Sequence, residues 1–243
     1  MRSLNTRQKR HYRPGRLICS GEWLNYRENV RNIEQALAQF AGGRLLDVGC
    51  GARPFECRKD QIEWIGLDIE GNSFADFHGT VLDLPFADKS FDCVLATQVL
   101  EHIEEPKTAM SECARVLRED GLLILSVPQY WELHEIPYDY FRYTEFGLLK
   151  LCAESGFDVL NIRREATGFA LVGLAINNII NEFGGRPTSF VWKAFKAPMY
   201  LFVNIACLAL AQVFKNDRDV QGYTLLARKN ASAHPQEQNV GHQ

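Results

Sequence analysis

The stretch that most constrains the fold is an apolar segment, residues 44–48, that runs directly into Gly49-Cys50-Gly51. The apolar run is typical of a central parallel strand that is covered on both faces. The two glycines can adopt positive φ angles, and a ligand can approach their main chain because no Cβ intervenes. This combination predicts an α/β protein with a doubly wound, mostly parallel sheet and a nucleotide-like cofactor at the carboxyl ends of its strands.

The glycine turn departs from a dinucleotide site. Such a site has the pattern Gly-x-Gly-x-x-Gly, and Pro54 stands where the third glycine would be. Asp47 would also place a negative charge beside the pyrophosphate. A carboxylate there suits a ligand that carries an amine and a sulfonium, as S-adenosylmethionine does. A tight turn with a purely structural role is the alternative at this point.

Further acids follow at the next predicted strands. Asp68 lies in a predicted strand at 64–69, and its carboxylate can accept both hydroxyls of a ribose. Asp83 lies in the segment 82–86, where a carboxylate at a strand end can accept from an adenine amino group. Each acid alone is equally well explained as a helix cap or strand terminator. Their order and spacing together favour a cofactor site.

The remaining elements alternate between helix and strand, as in a parallel sheet with helices on both faces. Pro106 is typical of a first helical position, and Thr144 is a typical helix N-cap. Helices are predicted at 25–40, from Pro106 to Gly121 and from Thr144 to Ser155, and the later strands at 91–97, 122–127, 157–163 and 222–228.

Five motifs support a family resemblance. They are Leu-Asp-Val-Gly-Cys-Gly at 46–51, Gly-Leu-Asp at 66–68, Asp-Leu-Pro-Phe-Ala-Asp-Lys-Ser-Phe-Asp at 83–92, Val-Leu-Glu-His-Ile at 99–103 and Arg-Val-Leu-Arg-Glu-Asp-Gly-Leu-Leu-Ile-Leu at 115–125. With them the chain resembles the class I S-adenosylmethionine-dependent methyltransferases of the methyltransferase domain 11 type. The resemblance covers 44–164 and a last strand at 222–229, and its motifs are specific for the cofactor rather than for the acceptor. It implies a seven-stranded sheet in which this last strand is the antiparallel member.

The resemblance implies S-adenosylmethionine as the cofactor and assigns residues to its parts. Asp47, Gly49 and Gly51 would hold the methionine end, Asp68 the ribose, and Asp83 with Leu84 the adenine. Only residues 52–63 separate the turn from the second strand, so the usual helix there is expected to be short or missing. The complete set of expected cofactor-binding residues is Asp47, Gly49, Cys50, Gly51, Asp68, Ile69, Asp83, Leu84 and Thr97.

Length and charge indicate one globular domain with additions. A chain of 243 residues can bury one large core, and a net charge of -3 gives no reason to expect nucleic acid as a partner. Residues 1–21 carry basic side chains and no acid, so they are predicted to form a disordered arm or to contact anionic lipid. The methyltransferase domain is placed at 22–164 and 221–230, an apolar helical insertion at 165–220, and a disordered tail at 231–243.

Cysteine and histidine spacing indicates the compartment and the absence of a metal motif. The seven cysteines are odd in number and form no Cys-x-x-Cys pair. The six histidines show no zinc-ligand spacing. We therefore expect a reducing, cytoplasmic location and no metal ligands.

The acceptor side is expected to be aromatic, because residues 129–143 contain six aromatic side chains. These rings are predicted to hold the sulfonium, to stack on a cyclic acceptor, or only to pack the loop onto the sheet. His134 and Asp139 in this loop are candidate general bases, as is His102 after the fourth strand. The alternative for His102 is that it ties a loop to Glu101 or to a backbone carbonyl.

The insertion contains two uncharged apolar stretches, 166–181 and 197–214. A spanning helix needs about twenty apolar residues, so both stretches are marginal for crossing a membrane. They are predicted to form either a lid or dimer face, or a helix pair that contacts the inner face of the membrane peripherally. The oligomeric state is left open.

These features predict methyl transfer from S-adenosylmethionine to a small-molecule, lipid or glycan acceptor, in polysaccharide or lipid biosynthesis. Displacement at a sulfonium depends on alignment and desolvation more than on a strong base. Two alternatives remain open, a quinone-type C-methyltransferase and a cofactor-binding scaffold without transfer activity.

Overall fold

The computed structural model describes residues 17–56, 61–182 and 190–230, with only the backbone described for 190–194. Most of the basic arm and the whole predicted tail at 231–243 therefore lie outside the described residues. The predictions that these two segments are disordered stay predictions.

One seven-stranded sheet organises the fold, with strand order β3-β2-β1-β4-β5-β7-β6. The neighbouring pairs among the first five strands are parallel, and β7 is antiparallel to both of its neighbours. This confirms the predicted doubly wound sheet and its antiparallel last strand. The strands are β1 (Gly43–Val48), β2 (Ile62–Asp68), β3 (Phe77–His78), β4 (Phe91–Thr97), β5 (Leu117–Pro128), β6 (Phe157–Glu165) and β7 (Gly222–Lys229).

Helices cover both faces of the sheet because successive strand residues point to opposite sides. Leu46 and Val48 of β1 belong to the apolar cluster that packs under the second helix, whereas Leu45 packs with Ile33 and Leu37 of the first. Fully burying each such side chain contributes about 1.5–3 kcal/mol. The helices are α1 (Trp23–Leu37), α2 (Pro106–Val116), α3 (Glu145–Glu154), α4 (Phe169–Glu182) and α5 (Phe190–Val213), with a 3₁₀ turn at Leu100–His102.

The end of α2 differs from the prediction. The helix stops at Val116 rather than at Gly121, and Leu117 already has extended geometry with φ -73° and ψ 141°. Leu117 is completely buried and pairs with Phe91, so its place in the sheet overrides the helix pattern. β5 then bulges around Asp120, which has φ +60°, and its main register with β4 resumes at Leu122. Tertiary burial, not the glycine, decides where this helix ends.

Two other local predictions are confirmed. The Oγ1 atom of Thr144 accepts a hydrogen bond from the Gly147 amide and caps α3, which ends before Ser155. Residues 49–56 form turns and no helix, as the short spacing around Pro54 indicates.

The predicted insertion is a helix pair, α4 and α5, between β6 and β7. Buried amides attach the pair to the chain that precedes α1. Asn177 of α4 donates to the Gly21 carbonyl and to Asn204 Oδ1 of α5, at 3.0 and 2.8 Å. Asn204 in turn donates to the carbonyls of Ile18 and Ser20, at 2.6 and 3.0 Å. These side-chain hydrogen bonds to backbone carbonyls fix the position of the helix pair against the chain that precedes α1.

The outer face of the helix pair is apolar and exposed. Within the described residues one helical stretch, Phe195–Val213, has the length and composition of a membrane span, and only 22% of it is buried. Its exposed apolar side chains, with those of α4, are Val172, Ile176, Ile179, Phe195, Met199, Phe202, Ile205, Leu210 and Val213.

We expect Asn204→Leu to lower the free energy of unfolding by about 1–3 kcal/mol, because it removes the side-chain donor to the Ile18 and Ser20 carbonyls and one of the two acceptors of the Asn177 amide. Denaturant unfolding measures this change. The matched control is Ile205→Ala on the exposed neighbouring position, which should change stability by no more than about 0.5 kcal/mol. Equal stability of both variants would contradict the anchoring role of Asn204.

Candidate active site

A cavity of about 580 Å³ lies at the carboxyl ends of β1, β2 and β4. Its volume falls within the range of about 300–1,000 Å³ that small-molecule sites occupy. The walls come from the glycine turn, the ends of these strands, α1 and the aromatic loop. The predicted site residues that line it are Gly49, Cys50, Gly51, Asp68, Ile69, Thr97, His102 and His134.

Both glycines of the turn adopt the left-handed conformation, with φ +65° at Gly49 and +54° at Gly51. A Cβ on Gly49 would lie 2.4 Å from Cγ2 of Val99, so this position has no room for a side chain. Beside Gly51 the nearest atom to an added Cβ is 4.0 Å away. The open space at Gly51 belongs to the cavity and lets a ligand reach the main chain.

Asp68 organises the floor of the cavity. Its Oδ2 atom accepts from the Gly51 amide at 2.9 Å and from Asn72 Nδ2 at 2.6 Å, and its Oδ1 atom accepts from the Ile69 amide at 2.8 Å. The side chain is buried yet remains part of the cavity wall. A carboxylate has about four acceptor positions, so it has capacity left for a ligand hydroxyl.

Asp47 does not line the cavity. Its carboxylate points to the opposite face of β1, where Oδ2 accepts from Trp64 Nε1 at 3.2 Å. Burial raises the pKa of this carboxyl to about 7, against the opposing effects of the Trp64 hydrogen bond and Arg53. Asp47 therefore lies behind the turn. Its carboxylate does not reach the cavity wall, where the predicted contact with the methionine end would be made.

The predicted adenine residues lie away from the cavity as well. The segment 82–86 is not a strand, since β3 consists of Phe77–His78 alone, and the Asp83 side chain is exposed. Leu84 is buried in the core. The wall at this point is formed instead by Gly79, Thr80 and Val81. The sequence motif assigned the adenine contact to Asp83 and Leu84, whereas the residues that line the cavity come a few positions earlier in the chain.

Sequence analysis missed a polar wall contributed by α1. Asn25, Tyr26 and Asn29 line the cavity. Asn29 Nδ2 donates to Ser126 Oγ at 2.8 Å and to both carboxylate oxygens of Glu165 at 3.0 and 2.9 Å. The available signal was the spacing of the asparagines in α1, which puts an amide stripe on one helix face.

Gln98 also lines the cavity and was missed. It adopts φ +54° directly after β4, a conformation that a residue with a side chain adopts only under constraint. Two hydrogen bonds to Ser126 impose it, from the Gln98 amide to the carbonyl and from Nε2 to Oγ, both at 2.8 Å. These two hydrogen bonds thereby fix the position of Gln98 in the cavity wall, next to Thr97.

The aromatic loop forms the opposite wall. Trp131, His134, Glu135 and Tyr138 line the cavity. Of the six aromatic side chains Tyr143 is buried, and Trp131 is partly buried against the cluster that contains Leu24 and Leu174. The other four are exposed, so packing does not account for them. The exposed ring of Tyr138 makes the cavity mouth partly aromatic.

The two candidate histidines contact each other. Their ring centroids are 4.7 Å apart in an edge-to-face arrangement. The Nδ1 atom of His102 lies 2.6 Å from the Tyr138 carbonyl, so the expected tie to a backbone carbonyl is present. The pKa of His134 is lowered, mainly by burial and then by His102. His134 is therefore neutral at pH 7.

The third candidate base, Asp139, lies in the aromatic loop with its carboxylate already bound by neighbouring groups. Its carboxylate binds the Arg142 guanidinium through two contacts of 2.6 and 2.8 Å and accepts from the His134 amide at 3.0 Å. These contacts, the Arg142 pair first, hold the pKa of Asp139 well below its usual range. Because Asp139 is also absent from the cavity lining, it positions His134 rather than accepting a proton from an acceptor.

Glu101 lies behind this wall, next to His102, and does not itself line the cavity. Its side chain is completely buried, and neither carboxylate oxygen has a hydrogen-bond partner among the described residues. Its Oε1 atom lies 3.8 Å from His102 Nε2. Burial raises the pKa of Glu101 to about 8. Sequence analysis named Glu101 only as a possible tie for His102, because its burial depends on the aromatic loop that folds over it.

Comparison with known proteins finds matches over the segment that contains the glycine turn and Asp68. A family model described as "Methyltransferase domain" matches residues 46–125. An O-methyltransferase of Aspergillus nomiae is 32% identical over 116 residues, which are 40% of this chain and 52% of that protein. A methyltransferase-like protein of Encephalitozoon cuniculi is 32% identical over 149 residues, 48% of this chain and 71% of that one. The chain thus spans about half of the first of these relatives and 71% of the second.

Solved structures share the fold at low identity. The phosphoethanolamine N-methyltransferase 2 of Haemonchus contortus, solved in complex with S-adenosyl-L-methionine, superposes with a TM-score of 0.54 at 17% identity. The match covers 88% of this chain and 57% of that one. At this identity the likeness concerns the fold alone.

We expect Asp68→Ala to weaken S-adenosylmethionine binding by about 1.5–3 kcal/mol, the range for hydrogen bonds to a charged group, which is roughly a tenfold to 150-fold rise in Kd. Calorimetry measures it, with circular dichroism to check folding. The matched control is Asp83→Ala, which removes an exposed carboxylate away from the cavity and should leave the affinity unchanged. The opposite pattern would restore the adenine role of Asp83.

Proposed function

The chain belongs to the class I S-adenosylmethionine-dependent methyltransferases of the methyltransferase domain 11 type, and we propose that it methylates a small-molecule, lipid or glycan acceptor in polysaccharide or lipid biosynthesis. One observation carries this proposal. A left-handed glycine turn, a buried carboxylate and a partly aromatic wall meet in one cavity at the carboxyl ends of the parallel strands.

The cavity fits the cofactor of this family. Gly51 leaves its main chain open to a ligand, and Asp68 presents acceptor oxygens at the floor. Thr80 and Val81 form the next part of the wall. When bound, S-adenosylmethionine supplies a methyl group on a positively charged sulfur. The acidic floor favours a ligand of positive charge, and the aromatic side chains across the cavity favour a cation as well.

The acceptor is proposed to enter beside the aromatic loop. Trp131 and Tyr138 give this wall apolar surface, whereas His102 and His134 provide polar atoms next to it. The acceptor contributes the electron pair of the new bond to the methyl carbon, the sulfur retains the pair of the broken bond, and the acceptor's proton leaves to solvent. Alignment and exclusion of water by these walls account for much of the expected rate enhancement. Neither the quinone-type alternative nor the scaffold alternative has a structural observation of its own.

Incubation with methyl-labelled S-adenosylmethionine and fractionated lipid and glycan extracts tests the proposal. We expect label in one acceptor fraction with the wild-type protein and none with Gly49→Ala, because an added Cβ would clash with Val99. Asp83→Ala should transfer label as the wild type does. Cofactor binding without transfer to any fraction would favour the scaffold alternative.

We also propose that the protein is cytoplasmic and contacts the membrane surface through the outer face of α4 and α5. The cysteines at the described positions are free thiols, as a reducing compartment requires. The outer face supports the membrane contact because it concentrates exposed apolar side chains, such as Phe202 and Ile179, while the inner face carries the buried asparagines. A helix pair of this kind lies in the interface plane with its apolar face in the lipid.

Flotation with anionic liposomes tests this contact. We expect the double substitution Ile179→Asp and Phe202→Asp to lower the liposome-bound fraction at least fivefold without changing cofactor affinity. Phe146→Asp on α3 is the matched control, since Phe146 is equally exposed and apolar but lies outside the helix pair. Wild-type protein that stays in the soluble fraction at both low and high salt would refute the membrane contact and leave a lid or dimer face.

A further inference from the structure

We propose that Glu101, His102 and His134 form a binding site for a divalent metal ion of the zinc class on the acceptor wall of the cavity. One ligand atom from each residue, a carboxylate oxygen and two imidazole nitrogens, lies within 4.8 Å of the others. Both histidines line the cavity. The sequence predicts no metal site, because Glu101 and His102 are adjacent and His134 belongs to a different loop.

The strongest support comes from the Glu101 carboxylate. It is completely buried, and neither of its oxygens has a hydrogen-bond partner among the described residues. A buried carboxyl group whose two oxygens both lack a partner costs free energy, and ligation of a cation would remove that cost. The Arg142 guanidinium attracts this carboxyl electrostatically but donates its hydrogen bonds to Asp139, so it gives neither Glu101 oxygen a bonded partner. A metal ion between Glu101 and the histidines would supply the missing partner.

The surroundings of the histidines match those of metal ligands. In His102 the Nδ1 atom lies 2.6 Å from the Tyr138 carbonyl. In His134 the Nδ1 atom lies 3.1 Å from the Glu132 carbonyl and 3.3 Å from Asp139 Oδ2. These contacts fix the rings and leave each Nε2 atom available. Metal-binding histidines almost always direct their other nitrogen to a carbonyl or carboxylate in this way.

The ligand set selects the class of metal. Two imidazoles and one carboxylate are typical of catalytic zinc sites, in which a fourth position stays open. Mg²⁺ prefers oxygen ligands and is a poor match for two imidazoles. In a tetrahedral site with bonds of about 2.1 Å the ligand atoms are about 3.4 Å apart. The Glu101 to His102 separation of 3.8 Å is close to this value, so small side-chain rotations would complete the site.

The position of the site suggests its role, which rests on the proposed methyl transfer. The open position faces the cavity, because His102 and His134 are part of its wall. There the metal would bind a hydroxyl oxygen of the acceptor and lower the pKa of that hydroxyl. The proton leaves to solvent, the oxygen lone pair forms the bond to the methyl carbon, and the sulfur keeps the electron pair of the broken bond. The site therefore selects acceptors that are methylated on oxygen.

Zinc titration of the chelator-treated full-length protein, without a histidine tag, tests the site. We expect one equivalent of Zn²⁺ to bind at this site, with at least tenfold weaker binding in Glu101→Gln and in His134→Ala. Asp139→Asn, which changes the group that orients His134, should weaken binding by about 10–100-fold. Mg²⁺ should not compete with Zn²⁺ at equal concentration. His78→Ala removes an exposed histidine elsewhere and is the matched control.

Two outcomes would overturn the proposal. One is the absence of a stoichiometric Zn²⁺ site in the wild type, and the other is equal Zn²⁺ affinity in wild type, Glu101→Gln and His134→Ala. Calorimetry with S-adenosylmethionine on the metal-free protein separates this result from a failure of the proposed function. Cofactor binding with no zinc site would overturn the metal proposal alone, whereas zinc binding with no cofactor binding would overturn the proposed function and leave the metal site standing.

Discussion

The hydrogen bonds to the Asp68 carboxylate are the interaction on which the cavity depends. They join the Gly51 amide, at the end of β1, to the Ile69 amide and the Asn72 side chain, which follow β2. The ends of two parallel strands are neighbours in space but distant in sequence, so a side chain has to connect them. Charge-assisted bonds to backbone amides are among the stronger ones available for this purpose. The hydrogen bond from the Gly51 amide to the Asp68 carboxylate fixes the left-handed conformation of the turn.

The elements that sequence predicts well are those whose signals are local. The buried strands are short apolar runs, and Thr144 satisfies a helix end through its own side chain. The end of α2 lacked such a signal. Its last residues continue a helical pattern, and only the pairing of Leu117 with Phe91 in the sheet takes the chain out of the helix. Where burial in a neighbouring strand competes with helix propensity, the sequence alone does not show which one prevails.

The site was predictable to a similar extent. The glycine turn and Asp68 were found because a turn followed by an acid after a strand is a local pattern. Thr80 and Val81 carry no distinctive chemistry, so the nearby acid Asp83 drew the assignment instead. Glu101 is an acid with distinctive chemistry, but the sequence does not show that it is buried, since an acid in a turn usually faces water. Its main-chain carbonyl accepts from the amides of Tyr140 and Phe141, so the aromatic loop folds over this turn and buries it.

The attachment of the helix pair has a consequence for how far the insertion can vary in length. Glu165, the last residue of β6, and Pro128, the last of β5, both register with Gly222, the first residue of β7. The sheet therefore holds the two ends of the insertion together, and the entropic cost of closing a longer or shorter segment between them changes only slowly with its length. Both ends lie at the same sheet edge as the cavity, and Trp131 links the cavity wall to the cluster that anchors α4. The insertion can thus vary in length at little cost to the sheet, and a change in its packing would reach the cavity wall through Trp131.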